Sequence, residues 1–157
     1  MWQDKVSNFN PTDYEKTFTY YESKDGTMVP LTYFHRKDLE INTETPIFLY
    51  GYGGYNISIR PSFSRKYVGW LELGGVVAIA NLRGGGELGK KWHNAGRLKE
   101  KQNVFDDFLY ASKYLEANNI GNRKSTVISG RSNGGLLVGT SLAVSYTHLR
   151  AHETKAN

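Results

Sequence analysis

The chain has 157 residues, no cysteine, and 20 Lys+Arg against 15 Asp+Glu, for a formal net charge of +5. The lack of cysteine excludes disulfides, thiolate nucleophiles and cysteine-based zinc sites, and nothing in the sequence calls for a metal or other cofactor. Hydrophobic residues at 39% and aromatic residues at 13% argue against a disordered chain, and no apolar run approaches the roughly 18 residues of a membrane-spanning helix.

The basic excess is dispersed. Lys90, Lys91, Lys99 and Lys101 alternate with Glu87, Glu100, Asp106 and Asp107, and no basic face carries aromatics at stacking intervals. Neither a nucleic acid nor a membrane is expected as a partner. The length suits one domain but is short for the larger α/β architectures, which run to roughly 200–250 residues.

In chain order, Met1 is followed by Trp-Gln-Asp-Lys, which is not a secretory signal. The compartment, cytoplasmic or periplasmic, is not encoded in this stretch. Residues Thr17–Ser23 read as a strand, Asp25-Gly26 as a turn, and Met28–His35 as the second strand of a hairpin, with Pro30 directing it to an edge or a bulge. Asp38–Thr45 is a polar loop. Pro46–Tyr50 is an apolar run without alternation, as in a strand buried on both faces. A glycine-rich loop, Gly51–Gly54, leads into an aromatic, partly helical segment through Trp70-Leu71. Val76–Asn81 is another apolar strand, and Arg83–Glu87 a second glycine-rich loop. Val104, Phe108, Ala111 and Leu115 recur at helical spacing, so Asn103–Asn118 should be an amphipathic helix. Ser125–Ser129 is a third apolar strand, and a helix should follow Gly135. This alternation is α/β order, with a mainly parallel sheet and flanking helices.

Gly130-Arg131-Ser132-Asn133-Gly134 fits G-x-S-x-G between a strand and a helix, the setting of a nucleophile elbow. Small residues on either side of the turn let the Ser132 hydroxyl project at the carboxyl end of the sheet. The Asn133 amide then points to where a tetrahedral oxyanion would form, beside a helix N-terminus that favours negative charge. Gly51-Tyr52-Gly53-Gly54 fails as a dinucleotide fingerprint, because Asn56 stands at the third glycine position. In an α/β-hydrolase such a loop supplies the second oxyanion donor, here the Tyr52 hydroxyl. Arg83–Glu87 lacks a Walker lysine and reads as a loop at the rim of the site. His93 reads as a packing residue, and Asp106 and Asp107 as acids suited to a helix start.

Five segments in this order resemble the catalytic domain of the prolyl oligopeptidase family: Ser23–Phe34, Phe48–Ile59, Asn81–His93, Lys101–Phe108 and Ser129–Gly139. The resemblance runs from about Val6 to Ala143. It implies a serine peptidase that cuts short peptides after proline, with Ser132 as nucleophile and Tyr52 and the Asn133 amide as oxyanion hole. It places Tyr55 near the substrate pocket, although the family carries Phe there. An esterase or lipase of the same fold, or a non-catalytic binding module, are the other readings.

The chain departs from the family after Ser132. The fold orders its triad Ser, acid, His, whereas residues 133–157 hold one acid, Glu153, preceded by His148 and His152. The triad acid and histidine are therefore expected to be absent, along with the C-terminal third of the fold and the family's β-propeller. Val144–Thr154 (VSYTHLRAHET) resembles a translated frame of a transposon sequencing adapter. Residues 1–143 are accordingly read as a partial catalytic domain and 144–157 as a non-native tail. On this reading the fragment itself should be inactive.

Overall fold

In the computed structural model the described residues are 10–60, 62 and 64–153, the last ten as backbone only. The start of the resemblance at Val6 and the side chains of His148, His152 and Glu153 lie outside the described residues. Five strands form one sheet in the order β1-β2-β4-β3-β5: β1 Tyr14–Glu22, β2 Met28–Arg36, β3 Ile47–Gly51, β4 Val76–Ala80 and β5 Thr126–Ser129. Among the described residues four α-helices accompany it: α1 Arg65–Glu72, α2 Lys90–Asn94, α3 Lys101–Ala117 and α4 Asn133–Glu153.

The sheet is more evenly mixed than the apolar strands alone imply. β3 pairs in parallel with β4 and β5, while β2 joins β4 antiparallel and carries β1 on its outer side. Pro30 is neither on an edge strand nor in a bulge, since β2 is paired on both sides. Its carbonyl accepts from the Asn81 N–H at 3.0 Å, so its own nitrogen also faces that side. It sits one residue beyond the β2–β4 ladder, which ends at Leu31↔Ala80, and its missing N–H removes no ladder bond.

The two-residue period of the strands sorts the core onto two faces. Leu31, Leu49, Ala78 and Ala80 meet Val104, Phe108, Ala111 and Leu115 of α3 and Leu137 of α4. On the opposite face Val77 and Ile79 meet Leu71 of α1, with Phe48, Tyr50, Tyr67 and Trp70 partly buried around them. β4 is buried throughout, as its unbroken apolar run requires. β5 is not: it lies at the end of the sheet among the described residues, and Val127 is 47% exposed.

α3 begins at Lys101, so Asp107 is in its second turn and has no part in the helix start. It is fully buried and hydrogen-bonds the equally buried Arg83: Oδ1 accepts from Nη2 at 2.6 Å, and Oδ2 from Nε at 3.0 Å. Asp107 also accepts from the Arg83 amide and the Ser23 hydroxyl. The far side of the guanidinium reaches Asp25 in the β1–β2 turn, with Nη1 2.5 Å from Oδ2. Hairpin, loop and helix thus share one polar junction.

Hydrogen bonding from Arg83 holds the Asp25 carboxyl at about 2, below its ordinary 3.8. As pH falls, the unfolded chain therefore takes up this proton first. The contribution of Asp25 should be complete above about pH 4 and fade between about 4 and 2. Urea midpoints measured across that window should fall less steeply in Asp25→Asn than in the parent chain. Parallel profiles would contradict the assignment.

Candidate functional site

The turn between β5 and α4 carries the first element of the site. Ser132 is exposed and has φ +57, a left-handed conformation that costs a non-glycine residue roughly 1–2 kcal/mol. Its neighbours explain how the turn is accommodated. A Cβ on Gly130 would collide with the Gly134 backbone, and one on Gly134 would lie 2.8 Å from the Gly51 carbonyl at the end of β3. The Gly134 and Gly135 amides donate to Arg131 O and Ser132 O at 2.9 and 2.8 Å, which closes the turn into α4. The 21-residue α4 thus directs its N-terminus at Ser132.

The second element is the loop after β3. Gly53, Tyr55 and Asn56 all have positive φ, at +58, +53 and +57. The loop is pinned by Asn56 N–H to Gly84 O and Ile57 N–H to Gly54 O, both 3.1 Å. Tyr52 is half-buried and lies against the elbow: a Cβ on Gly134 would be 3.8 Å from its Cδ2. The Tyr50 hydroxyl is pushed up, chiefly by burial and then by Tyr52, while Arg131 pulls it down. Tyr50 therefore feels both Tyr52 and Arg131 at the carboxyl end of the sheet.

The Asn133 side chain joins the two elements. Its Nδ2 donates to Tyr52 O at 2.6 Å and to Gly53 O at 3.1 Å. It leaves no room on Gly54, where a Cβ would lie 2.5 Å from that nitrogen. Lys101, the first residue of α3, completes the arrangement with Nζ 2.9 Å from Gly53 O and 3.1 Å from Asn133 Oδ1. Sequence reasoning singled out Ser132, Tyr52 and Asn133, and the fold brings them together. It missed Lys101, whose contacts come from residues 48 and 32 positions away. It also missed Asp107, although an acid between Val104 and Phe108 in the apolar stripe was a usable signal.

Tyr55 is 76% exposed and projects from the strained loop without packing into the core. A cavity of about 470 Å³ adjoins the elbow, with Tyr50, Lys66, Tyr67, Ser129, Gly130 and Arg131 among its walls. A wider depression of about 750 Å³, lined by Asn94, Arg97, Leu98, Lys99 and Glu100, includes neither Ser132 nor Tyr52. Of the histidines with described side chains, His35 Nδ1 lies 2.8 Å from Arg36 O and His93 Nδ1 2.7 Å from Gly84 O. His93 therefore packs the Arg83–Gly86 loop, as its position beside Trp92 suggests. Among the described residues no histidine is hydrogen-bonded to Ser132.

A strained serine on a strand–turn–helix elbow, faced by a glycine-rich loop from the neighbouring parallel strand, defines an α/β-hydrolase-type site. Residues 61–149 match the prolyl oligopeptidase family. The chain is 44% identical over 92% of its length to the prolyl endopeptidase of Elizabethkingia meningoseptica. It is 43% identical over 85% of its length to prolyl oligopeptidase A of Amanita bisporigera. Among solved structures, a prolyl endopeptidase superposes with a TM-score of 0.84 at 51% identity, covering 85% of this chain and 20% of that one. Prolyl oligopeptidase B of Galerina marginata also gives 0.84, at 40% identity over 87% of this chain and 20% of that one. The chain belongs to the prolyl oligopeptidase family. It spans about a fifth of the length of these relatives.

Proposed function

We propose that this segment supplies the nucleophile and oxyanion hole of a serine peptidase that cleaves short peptides on the carboxyl side of proline. The observation that carries the reading is Ser132 at φ +57 on the β5–α4 turn, with Tyr52 packed against the same turn. In the reaction, Ser132 Oγ attacks the carbonyl carbon of the proline while a histidine takes the hydroxyl proton. The tetrahedral oxyanion is held by the Asn133 N–H and the Tyr52 hydroxyl. Collapse expels the amine, which takes the proton back from the histidine, and leaves an acyl-enzyme for water to hydrolyse. Tyr55 is assigned to the substrate-facing rim.

The histidine, its acid partner and a propeller would come from sequence beyond these 157 residues. Residues 144–157 are read as a tail foreign to the domain, which the codons beneath them test: a coding sequence unlike the adapter removes that reading. Taken alone, the chain should not hydrolyse peptides, since a serine without a base is a poor nucleophile.

The test is a graft in which residues 10–143 replace the matching segment of the Elizabethkingia meningoseptica prolyl endopeptidase. The graft should release p-nitroaniline from a prolyl p-nitroanilide and be labelled stoichiometrically by a fluorophosphonate, whereas the 157-residue chain should not be labelled. A folded graft that cleaves p-nitrophenyl esters but no prolyl amide would overturn the peptidase assignment.

A further inference from the structure

We infer that Lys101 is a positioning residue of this site: its ammonium locks the Asn133 side chain and the Gly53 carbonyl, and so holds the Tyr52 loop against the nucleophile turn. The inference rests on the reading of Ser132 and Tyr52 as catalytic groups, but the lock itself is a matter of geometry.

Lys101 stands where local physics does not favour it. It is the first residue of α3, where the helix dipole opposes a cation. It is half-buried, and burial lowers its pKa. No carboxylate among the described residues forms an ion pair with it. Instead the charge is directed at two neutral oxygens, Gly53 O at 2.9 Å and Asn133 Oδ1 at 3.1 Å.

Those two contacts have a structural consequence. Because an ammonium only donates and a carbonyl only accepts, Lys101 and the two loop carbonyls demand the same orientation of the Asn133 side-chain amide. Oδ1 accepts from Lys101 while Nδ2 donates to Tyr52 O and Gly53 O at 2.6 and 3.1 Å, so the ammonium clamps the oxygen end of a side chain whose nitrogen end holds the loop. Asn133 is the residue whose amide is assigned to the oxyanion, and Tyr52 carries the other donor. Both are therefore tethered through one nitrogen atom on a third element. Without it, Asn133 Oδ1 and Gly53 O both lose a charged donor, and the Asn133 side chain is held only by its own Nδ2 bonds. Displacements of about 1 Å in such sites lower rates by as much as about 10²-fold.

The chain has no cysteine, so Lys101→Cys introduces a single thiol that bromoethylamine converts into a lysine analogue. In the ¹⁵N-labelled 157-residue chain, Lys101→Cys should shift the Gly53 and Gly54 backbone amides and the Asn133 side-chain amide. Their exchange should speed at least tenfold, while the amides of Leu31 and Ala78 stay protected. Aminoethylation should restore the parent pattern. Unchanged Asn133 and Gly53 resonances, or failure of the aminoethyl group to restore them, would overturn the lock. So would loss of sheet protection along with the loop, because Lys101 would then serve general stability.

In the graft, Lys101→Met should lower kcat 10- to 100-fold with KM within about twofold. A rise in KM with kcat intact would overturn the positioning role. A graft that lacks prolyl hydrolysis with Lys101 in place counts against the peptidase reading, and the spectra, which need no turnover, still decide on the lock.

Discussion

Ser132→Ala in the graft should reduce prolyl hydrolysis to the background of the assay and abolish fluorophosphonate labelling. Tyr52→Phe should leave labelling possible but lower kcat by about 10²–10³. The two effects differ because the two groups act at different points. Ser132 forms the bond to the acyl carbon, so without its oxygen there is no acyl-enzyme. The Tyr52 hydroxyl acts only on the charge that develops on the carbonyl oxygen. Its removal should therefore change kcat and kcat/KM together and leave substrate affinity nearly alone. A phenylalanine fills the same space beside Gly134, where a Cβ would lie 3.8 Å from the ring's Cδ2, so the elbow should survive the change. Near-normal turnover in Tyr52→Phe would remove Tyr52 from the oxyanion hole and leave the Asn133 amide to be paired with another donor.

What could be read from the sequence depended on how far apart the interacting groups lie along the chain. The elbow is local: strand, three-residue turn and helix are contiguous, and the glycines at 130 and 134 are required by a backbone clash that short-range spacing expresses. β4 was equally plain, because a strand covered on both faces has no polar position to interrupt the run. β1 and β2 were visible as a hairpin, but their antiparallel attachment to β4 depends on pairing with residues some 45 positions away. Pro30 misled for the same reason, since the end of the β4 ladder, and not an edge, makes room for it.

The polar partners were harder still. Arg83 looked like part of a glycine-rich rim and Asp107 like an acid at a helix start, yet they form one buried pair. A charge in an apolar stripe signals that a partner exists without saying which of 20 basic residues it is. Lys101 gave less warning, because a lysine early in a helix looks like a solvated surface residue until Asn133 is folded onto it.

The second large effect concerns stability. Asp107→Ala should lower the unfolding free energy by about 3–5 kcal/mol, the range for removing one member of a buried ion pair. The reason lies in what is left behind. The Arg83 guanidinium, 4% exposed, keeps Asp25 but loses the carboxylate that accepts from Nε and Nη2. Burial opposes its charge, and the hydrogen bonds it donates to Asp107 and Asp25 more than offset that, keeping its pKa above the ordinary arginine value. With Asp107 gone, the Arg83 amide and the Ser23 hydroxyl also lose their acceptor. Asp107→Asn keeps an acceptor and should lose less.

The decisive comparison is the double substitution Arg83→Met with Asp107→Leu, which removes both charges and fills the space. If the pair serves mainly to satisfy itself, the double variant should recover most of the loss in urea denaturation. Losses that simply add would show that each residue acts through separate contacts.

The double variant also separates stability from function, because the loop carrying Arg83 supports the catalytic side. Gly84 O accepts from Asn56, and a Cβ at Gly84 would lie 2.8 Å from Gly53 O. If the Arg83 junction braces the Tyr52 loop, the double variant should regain stability in the graft yet remain slow. Full recovery of kcat with stability would confine Arg83 and Asp107 to holding the hairpin against the core.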